Sequence, residues 1–390
     1  MIHNYRVEVK LSIADINENE WNEIFADFNN PFYEYNWLKN LESSKSVSRE
    51  TGWQPLYFMA YLHNELNAIA PLFLKNHSYG EFIFDQSFAR LAQDLNLNYY
   101  PKLIGMSPYS PIEGYQFIYK TNSNKIEITE ILIKNIEDFA QKNNILSCNF
   151  LYANRTWGQL IKNLGYGEWL NIRSEWQNFK EKDFEGFLSR FNSNQRKNIK
   201  KERKSILKQS LLIETFTGEQ INKNILSKMY FFYEKHCLRW GVWGSKYLTY
   251  EFFKNSLINK NNIVIFSACK NLIKDPIAMS MCISNKERLW GRYWGASEDI
   301  SNLHFELCYY QPIEWAIKNN IKYFDPGAGG NHKRRRGFQA KGTNSYHKWF
   351  NKDMKNIINN WIVKANLETL NQIKLENESI PYCKNYIDNF

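Results

Sequence analysis

The sequence predicts a mixed α/β protein built from two copies of one unit, each with a mixed β-sheet. Apolar and turn residues give both halves one order of elements: a strand pair with a polar turn, another strand, a long helix and a short strand. In each half a Gly-aromatic pair then precedes a strand that ends at a tryptophan, Trp176 or Trp349. We expect one domain over 1–178 and a second over 179–365, entered by a basic helical segment at 179–208. A tail at 366–390 is expected to pack on either domain.

The individual elements follow from hydrophobic periodicity and from glycine and proline breaks. In the first half we predict one or two helices in 21–44, a helix at 126–141, and strands at 56–61, 68–74, 79–85, 148–152 and 169–176. In the second half we predict helices at 184–207, 229–240, 250–258 and 302–319, the last capped by Ser301, and strands at 263–269, 277–283, 289–294 and 322–324.

Length and composition set the outer limits. A chain of 390 residues with 43% hydrophobic and 16% aromatic residues can fill sizeable cores, which excludes a disordered chain. It has no apolar run of about 18 residues, as a membrane span requires, and its N-terminus does not resemble a signal peptide. The six cysteines show no CxxC spacing, so we expect reduced thiols in a cytoplasmic protein and no metal site.

The net charge of +10 suits an anionic partner, although the lysines are widely spread. The strongest cluster is Arg196, Lys197, Lys200, Lys201, Arg203 and Lys204, in the basic segment. Two interpretations stay open for this segment. It is either a solvated helix that links two domains or a clamp for the phosphates of a tRNA or a nucleotide-linked substrate.

The helix predicted at 302–319 contains the most informative residue, Glu306. At about 100° per residue, an apolar stripe is formed by Tyr309, Tyr310, Ile313, Ala316 and Ile317. Glu306 falls near the middle of this stripe, where a carboxylate is costly unless it is paired or its pKa is shifted. It is therefore either an ion-pair partner of Arg292 or a general base that faces a pocket. His304 falls on the opposite side of the helix and joins Glu306 only if Pro312 bends the helix.

Several unusual strings resemble the motifs of one known family. They are TGWQP at 51–55, PLFLKNHSYGEFIFD at 71–85, YYPKL at 99–103, RK at 196–197, KER at 201–203, GRYWG at 291–295, LHFE at 303–306, CYY at 308–310, HK at 332–333 and RGF at 336–338. The chain is thereby identified as a member of the FemAB-like predicted N-acyltransferases of the peptidoglycan biosynthesis/recognition type, within the GNAT superfamily. The resemblance covers nearly the whole chain. It implies two tandem GNAT-like domains and transfer of an acyl group to an amine.

The sequence departs from the family pattern in one turn. The family usually carries Gln and Glu where Gly329 and Asn331 stand here, and proline where Ala340 stands. The missing acid beside His332 makes Glu306 the expected general base.

The chemistry of acyl transfer places the expected site in the second half. An attacking amine must be neutral, so a base must take its proton, and the tetrahedral oxyanion needs donors such as the N–H groups of a splayed strand. The predicted catalytic residues are Glu306, with His332 and His347 as secondary candidates. The predicted substrate-binding residues are Arg292, Tyr293, Trp294, His304, Lys333 and Arg336, with Glu81, Asp85 and Lys102 of the first half as a further wall. The predicted anion- or donor-binding residues are Gly327, Gly329, Gly330, Arg335, Lys197 and Lys201.

The sequence leaves the acyl donor open. The turn at 295–299, which corresponds to the pyrophosphate turn of ordinary GNAT enzymes, has one glycine and two acids that would repel a pyrophosphate. FemAB-type enzymes use aminoacyl-tRNA instead. We expect no tightly bound cofactor, acyl-CoA or aminoacyl-tRNA as co-substrate, and a small-molecule or peptide amine as acceptor. The alternatives are an aminoacyl-tRNA-dependent ligase that modifies a peptidoglycan precursor or another cell-envelope amine, and a non-catalytic GNAT-like module that binds a ligand.

Overall fold

A computed structural model describes residues 4–239, 241, 244–270, 275–383 and 386. The chain divides into two compact units. Unit 1 comprises Met1–Asn171 and Gly342–Leu370, and unit 2 comprises Ile172–Lys341 and Asn371–Phe390. This grouping differs from the continuous domains expected at 1–178 and 179–365.

The elements up to the boundary between the units are β1 (Arg6–Lys10), α1 (Glu18–Phe25), α2 (Tyr35–Ser43), β2 (Trp53–Leu62), β3 (Glu65–Lys75), α3 (Gln86–Asp94), β4 (Lys102–Gly105), β5 (Ile118–Tyr119), α4 (Lys125–Lys142), β6 (Ser147–Ala153), α5 (Arg155–Asn163) and β7 (Gly167–Gln177). The following elements are α6 (Phe184–Ser189), α7 (Ser193–Lys208), β8 (Leu211–Thr217), α8 (Lys223–Arg239), α9 (Tyr250–Asn255), β9 (Ile263–Lys270), β10 (Pro276–Ser284), β11 (Arg288–Ala296), α10 (Leu303–Phe305), α11 (Gln311–Lys318), β12 (Tyr323–Asp325), β13 (Gln339–Trp349) and α12 (Lys352–Glu378).

The two units repeat one sheet topology. In unit 1 the strand order is β1-β2-β3-β4-β6-β13, with β5 paired to β3, and only β4 and β6 are parallel. In unit 2 the order is β7-β12-β11-β10-β9-β8, and only β11 and β12 are parallel. Each unit therefore has four consecutive antiparallel strands, a helical crossover and a strand parallel to the fourth. This confirms the predicted mixed α/β fold with a repeated unit.

The strand that completes each sheet comes from a distant part of the chain. Phe324 in β12 pairs with Trp176 in β7, and Tyr346 in β13 pairs with Phe150 in β6. Strand β7, which follows β6 in the chain, thus completes the sheet of unit 2. Strand β13, which follows β12, completes the sheet of unit 1. For this reason Gly342–Leu370 belongs to unit 1.

Three predicted elements differ from the structure. Residues 79–85 form a loop, in which Phe82 has a φ of 58°, and not a strand. The basic segment forms two helices, α6 and α7, separated at the buried Arg190. The helix predicted at 302–319 begins at Leu303, with Asn302 and not Ser301 at the capping position. Position 240, the predicted end of the helix now called α8, lies outside the described residues.

The core of unit 2 includes part of the basic segment. Ile199 and Ile206 of α7 are buried with Phe187, Leu307 and Tyr310 in one apolar cluster. Because apolar residues seven apart lie on one face of a helix, α7 packs along this face and presents its lysines to solvent. The interpretation of this segment as a solvated linker is therefore wrong for α7.

Candidate active site in unit 2

Glu306 begins a π-helical turn, Glu306–Tyr310, between α10 and α11. A π turn adds one residue to the helical repeat, and such turns often occur at functional sites. Pro312 follows at the start of α11, and the Ser280 hydroxyl donates to the Leu307 carbonyl oxygen at 2.7 Å. Glu306 is only 3% exposed, so the predicted burial of its carboxylate is confirmed.

The partner of Glu306 is Arg203 and not Arg292. Arg203 Nη2 lies 3.0 Å from Glu306 Oε1, and Arg203 Nε lies 3.2 and 3.3 Å from the two carboxylate oxygens. Gln311 Nε2 donates to Oε1 at 2.8 Å. Arg292 instead lies beside Asp325, 3.6 Å from Nη2 to Oδ1, because β11 and β12 are paired there. The predicted Arg292–Glu306 pair is therefore wrong.

A cavity of about 500 Å³ adjoins Glu306. Its walls come from α6, α7, β8 and the Glu306 turn. They include the apolar residues Phe184, Leu188, Ile206 and Leu211 and the cations Lys200, Arg203 and Lys204. A carboxylate is thus held in an apolar wall at an open space, with cationic side chains beside it. This combination is a recognised signature of a functional site.

Helix α7 connects Glu306 to the basic turn through two adjacent residues. Arg203 also lies 2.7 Å from Glu314 and its guanidinium stacks on the Phe184 ring at 4.4 Å. Glu202 accepts from Arg336 Nη2 at 2.9 Å and also from the Tyr310 hydroxyl. Neither role was predicted from the sequence. The apolar residues Ile199 and Ile206, which flank this pair in the basic run, could have indicated that this part of α7 packs against the unit.

The basic turn forms a short 3-10 helix, Asn331–Arg336. Arg336 is 4% exposed and its guanidinium lies over the Phe305 ring at 3.4 Å. Arg334 is also buried and donates to Glu376, Phe338 O and Ser174. Arg335, by contrast, is exposed. Most cations of this turn therefore hold the fold of unit 2, and Arg335 is the one that faces solvent.

The glycine turn surrounds a lysine. Lys333 Nζ donates to the carbonyl oxygens of Gly327 and Ala328 at 2.7 and 3.0 Å, and Gly327 N donates to Asp325 Oδ1 at 2.8 Å. Burial lowers the pKa of Lys333 to about 8, against the attraction of Asp325. The backbone N–H and the carbonyl oxygen of Gly327 are therefore already hydrogen-bonded within the unit. An anion-binding role for Gly329 and Gly330 stays a prediction.

His332 forms a pair with Tyr309. The His332 Nε2 and Tyr309 hydroxyl atoms are 2.8 Å apart. Burial lowers the pKa of His332, and the positive charges of Arg336 and Lys333 lower it further. A mainly neutral imidazole beside a phenol can relay a proton.

A second cavity, of about 150 Å³, borders β11 and includes Trp294, His236 and His304 in its wall. The rings of Trp294 and His304 meet edge to face, 5.3 Å apart. Burial, with the nearby positive charges of Lys333 and Arg336, lowers the pKa of His304 to about 3, so its imidazole is neutral at physiological pH. Glu306 and His304 therefore face different cavities, as the helix geometry predicted. Tyr293 packs on the rings of Tyr233 and Phe253.

The lysines of α7 lie on one exposed stripe. At about 100° per residue, the side chains at 197, 200, 201, 204 and 208 fall within roughly a third of a turn. Lys200 pairs with Glu185 at 2.7 Å. Lys197, Lys201 and Lys204 form no ion pair with any residue in the described ranges.

His347 belongs to unit 1, whereas the other two predicted catalytic residues, Glu306 and His332, belong to unit 2. It is 4% exposed, with Nδ1 2.8 Å from Asn149 Oδ1 and Nε2 2.8 Å from Ser345 Oγ. Burial lowers the pKa of His347 to about 3. Its contacts are those of a structural histidine.

Glu81, Asp85 and Lys102 form a buried ionic cluster in unit 1. Lys102 Nζ contacts Glu81 Oε2 and Ser78 Oγ at 2.8 Å each, and it also contacts Asp85. Burial raises the pKa of Glu81 to about 7. Burial would also raise the pKa of Asp85, but Lys102 holds it below its usual value. All three residues are at most 4% exposed, so they do not form an open substrate wall.

Lys75 lies next to this cluster, opposite Lys102 on the paired strands β3 and β4. Its Nζ sits 3.9 Å from the Trp53 ring centroid and donates to His77 Nδ1 at 3.1 Å. Burial lowers the pKa of Lys75 to about 7. Lys75 is not among the site residues predicted from the sequence.

Two features of the described residues bear on cofactors and membranes. Within those ranges, no three His, Cys, Asp or Glu side chains come together as a metal ion would require. Nor does any helix in them combine the length and apolar character needed to cross a bilayer.

The repeated topology defines an α/β protein with two tandem units, each built on a mixed sheet. The chain belongs to the FemAB-like family, whose model, described as peptidoglycan biosynthesis/recognition, matches residues 12–384. A comparison with curated proteins found no match.

Solved structures share the fold at low sequence identity. A crystal structure of FemX has a TM-score of 0.53 at 11% identity, covering 90% of this chain and 100% of FemX. L-PGS from Bacillus licheniformis has a TM-score of 0.50 at 8% identity, covering 83% and 95% of the two chains. The C-terminal domain of a putative lysylphosphatidylglycerol synthetase from Agrobacterium fabrum also has a TM-score of 0.50 at 8% identity, covering 89% and 96%. At such identities the likeness concerns the fold.

Proposed function

We propose that unit 2 is an N-acyltransferase that moves an acyl or aminoacyl group onto an amine of a cell-envelope precursor. The observation that carries the proposal is the buried carboxylate of Glu306 at the wall of a cavity of about 500 Å³. Membership of a family described as peptidoglycan biosynthesis/recognition supports the acceptor class. The fold shared with FemX and a putative lysylphosphatidylglycerol synthetase favours an aminoacyl group.

In the proposed reaction Glu306 is the general base. Its Oε2 makes only a long contact, 3.3 Å from Arg203 Nε, so this oxygen has room to accept a hydrogen bond from an attacking amine. The amine nitrogen forms a bond to the acyl carbonyl carbon while Glu306 takes its proton. The bond from the carbonyl carbon to the donor oxygen or sulfur then breaks, and the leaving group receives the proton that Glu306 took from the amine. Arg203 and Gln311 hold the carboxylate in position throughout.

The donor we favour is aminoacyl-tRNA. The lysine stripe of α7 adjoins the cavity at Lys200 and Lys204, and its members Lys197, Lys201 and Lys204 have no ion-pair partner among the described residues. Phosphate contacts dominate the affinity of proteins for nucleic acids. Acyl-CoA is the second candidate, although Glu298 and Asp299 occupy the turn where its pyrophosphate would lie.

A non-catalytic binding module is the alternative from another class. The observation in its favour is that Arg203 and Gln311 bond both oxygens of Glu306, as they would in a purely structural ion pair. Such a protein would bind its ligand and release it unchanged.

The test is product formation with each donor separately. Aminoacyl-tRNA or acyl-CoA is incubated with the protein and peptidoglycan-precursor amines, and the acceptor is examined by mass spectrometry. We expect mass gain in the tRNA arm, with KM for tRNA raised about threefold by each of Lys197→Gln and Lys201→Gln. Lys318→Gln, an exposed lysine elsewhere in unit 2, is the matched control. Ligand binding without product in either arm would establish the binding module.

A further inference from the structure

We infer that the Glu306 cavity binds an amphiphile, a ligand in which an apolar chain carries a phosphate-class anionic group. This inference deepens the proposed function, on which it rests, by naming the ligand class of the same cavity.

The inner wall of the cavity continues the core of unit 2. Phe184, Leu188, Ile206 and Leu211 border the cavity, and each is at most 8% exposed. All four also belong to the main apolar cluster of the unit. A chain that entered here would lie against the same side chains that fill the core. Burial of apolar surface would therefore stabilise an aliphatic chain in this position.

Two leucines at the mouth extend this apolar surface to solvent. Leu207 of α7 is 73% exposed and Leu212 of β8 is 44% exposed, and both border the cavity. Exposed apolar side chains next to a concave apolar wall are typical of ligand-binding grooves.

The rim of the cavity is cationic. Lys204 borders it and has no ion-pair partner within the described part of the chain, and Lys200 pairs only with the exposed Glu185. Around α7 the order of side chains is Ile206, Arg203, Leu207, Lys200 and Lys204, so the apolar wall passes directly into the lysine stripe. An anionic group on the ligand would thus meet lysines just outside the apolar wall.

A single amphiphile fits this shape better than a membrane surface. Besides the two exposed leucines, the apolar contacts are core residues that are at most 8% exposed, which a flat bilayer surface does not match. Glu306 and Gln311 are bonded to each other and Glu306 also to Arg203, so apart from Glu306 Oε2 this wall offers few polar atoms to a wholly polar ligand.

The test measures binding of dodecyl phosphate below its critical micelle concentration to the full-length protein by isothermal titration calorimetry. We expect it to bind about tenfold or more tightly than butyl phosphate and than dodecyltrimethylammonium. Leu207→Gln and Leu212→Gln are each expected to lower the affinity for dodecyl phosphate about fivefold without changing the affinity for butyl phosphate. Leu238→Gln, at a 66% exposed leucine of α8 outside the cavity, should leave binding unchanged. Lys204→Gln should weaken the binding of dodecyl phosphate but not that of uncharged dodecyl glucoside. Lys208→Gln should leave the binding of both unchanged.

Several outcomes overturn the inference. They are an affinity for alkyl phosphates that does not depend on chain length, an equal loss of affinity in Leu238→Gln, and binding only to anionic phospholipid vesicles. Because the exposed leucines carry little packing, unchanged melting temperatures separate lost binding from unfolding. Binding is measured without turnover, so the two proposals can fail separately. If the protein binds the amphiphile but Glu306→Gln transfers the acyl group as fast as the wild type, only the general-base role of Glu306 is refuted. If Glu306→Gln lowers transfer but the protein does not bind the amphiphile, only this inference is refuted.

Discussion

At the scale of single residues, the structure shows how neighbours decide what a buried carboxyl group does. Glu306 is surrounded by the Arg203 guanidinium and the Gln311 amide, which compensate its charge. Glu81 is as deeply buried, but it shares one lysine with Asp85, and its pKa is raised to about 7 by burial. Sequence periodicity predicted the burial of Glu306 because burial depends on its own helix. It could not predict the partner, because Arg203 lies about 100 positions away on another helix.

His347 makes a prediction about pH at this scale. Its pKa is about 3 in the folded protein, below the ordinary histidine value of about 6.5, so the unfolded chain binds a proton that the folded chain does not. Its contribution to stability is therefore complete above the unfolded pKa and is lost as pH falls towards the folded pKa. From pH 7 to pH 5 the free energy of unfolding should fall by about 2 kcal/mol on this account.

Urea unfolding at both pH values checks this. In His347→Gln this part of the decrease should be missing, and an unchanged decrease would show that His347 charges freely in the folded protein. His63→Gln, at an exposed histidine in the turn between β2 and β3, is the control.

At the scale of elements, strands and helices with strong periodicity were predicted well, and three irregular features were not. The aromatic strand β11, the β9–β10 pair and helix α4 follow local apolar patterns. The 79–85 loop has a strand-like alternation, but Glu81 and Asp85 both turn towards Lys102, which stands on β4. The π turn at Glu306 and the break at Arg190 likewise depend on contacts that are distant in sequence, Ser280 with Leu307 and Cys383 with Arg190, so local pattern could not reveal them.

The packing of α8 on β11 makes the prediction at this scale. A Cβ atom at Gly295 would lie 1.9 Å from the Phe232 carbonyl oxygen, whereas at Gly291, in the same strand, it would have only ordinary contacts from 3.5 Å. Gly295→Ala must displace α8 and should lower the free energy of unfolding by about 3 kcal/mol. Gly291→Ala should change it by less than about 1 kcal/mol. Denaturant titration of both variants measures the difference, and equal stabilities would show that α8 does not lie tightly on β11.

At the scale of the whole molecule, the repeated unit was predictable and the grouping of segments was not. Both halves carry the same order of elements, which the sequence shows. Which strand completes which sheet depends on pairing between distant segments, and β7 and β13 have similar patterns ending at Trp176 and Trp349. The pairing of β13 with β6 places Gly342–Leu370 in unit 1, so that unit is discontinuous in sequence.

Discontinuity predicts the behaviour of fragments. A fragment of residues 1–178 lacks β13, whose Tyr346 and Trp349 are at most 3% exposed, so we expect it to remain unfolded. Addition of a peptide of residues 342–370 should restore native-like circular dichroism, whereas the same peptide with Tyr346→Ser should not. A fragment 1–178 that folds cooperatively by itself would contradict the grouping.

The most direct test of the account compares two neighbouring acids that share Arg203. Glu306 is buried at the cavity, whereas Glu314, 2.7 Å from the same arginine, is 48% exposed. We expect Glu306→Gln to lower acyl transfer at least about tenfold while the protein stays folded, and Glu314→Gln to leave transfer within about twofold of the wild type. Equal turnover by the wild type and Glu306→Gln would remove Glu306 from the chemistry and leave it a structural ion-pair partner.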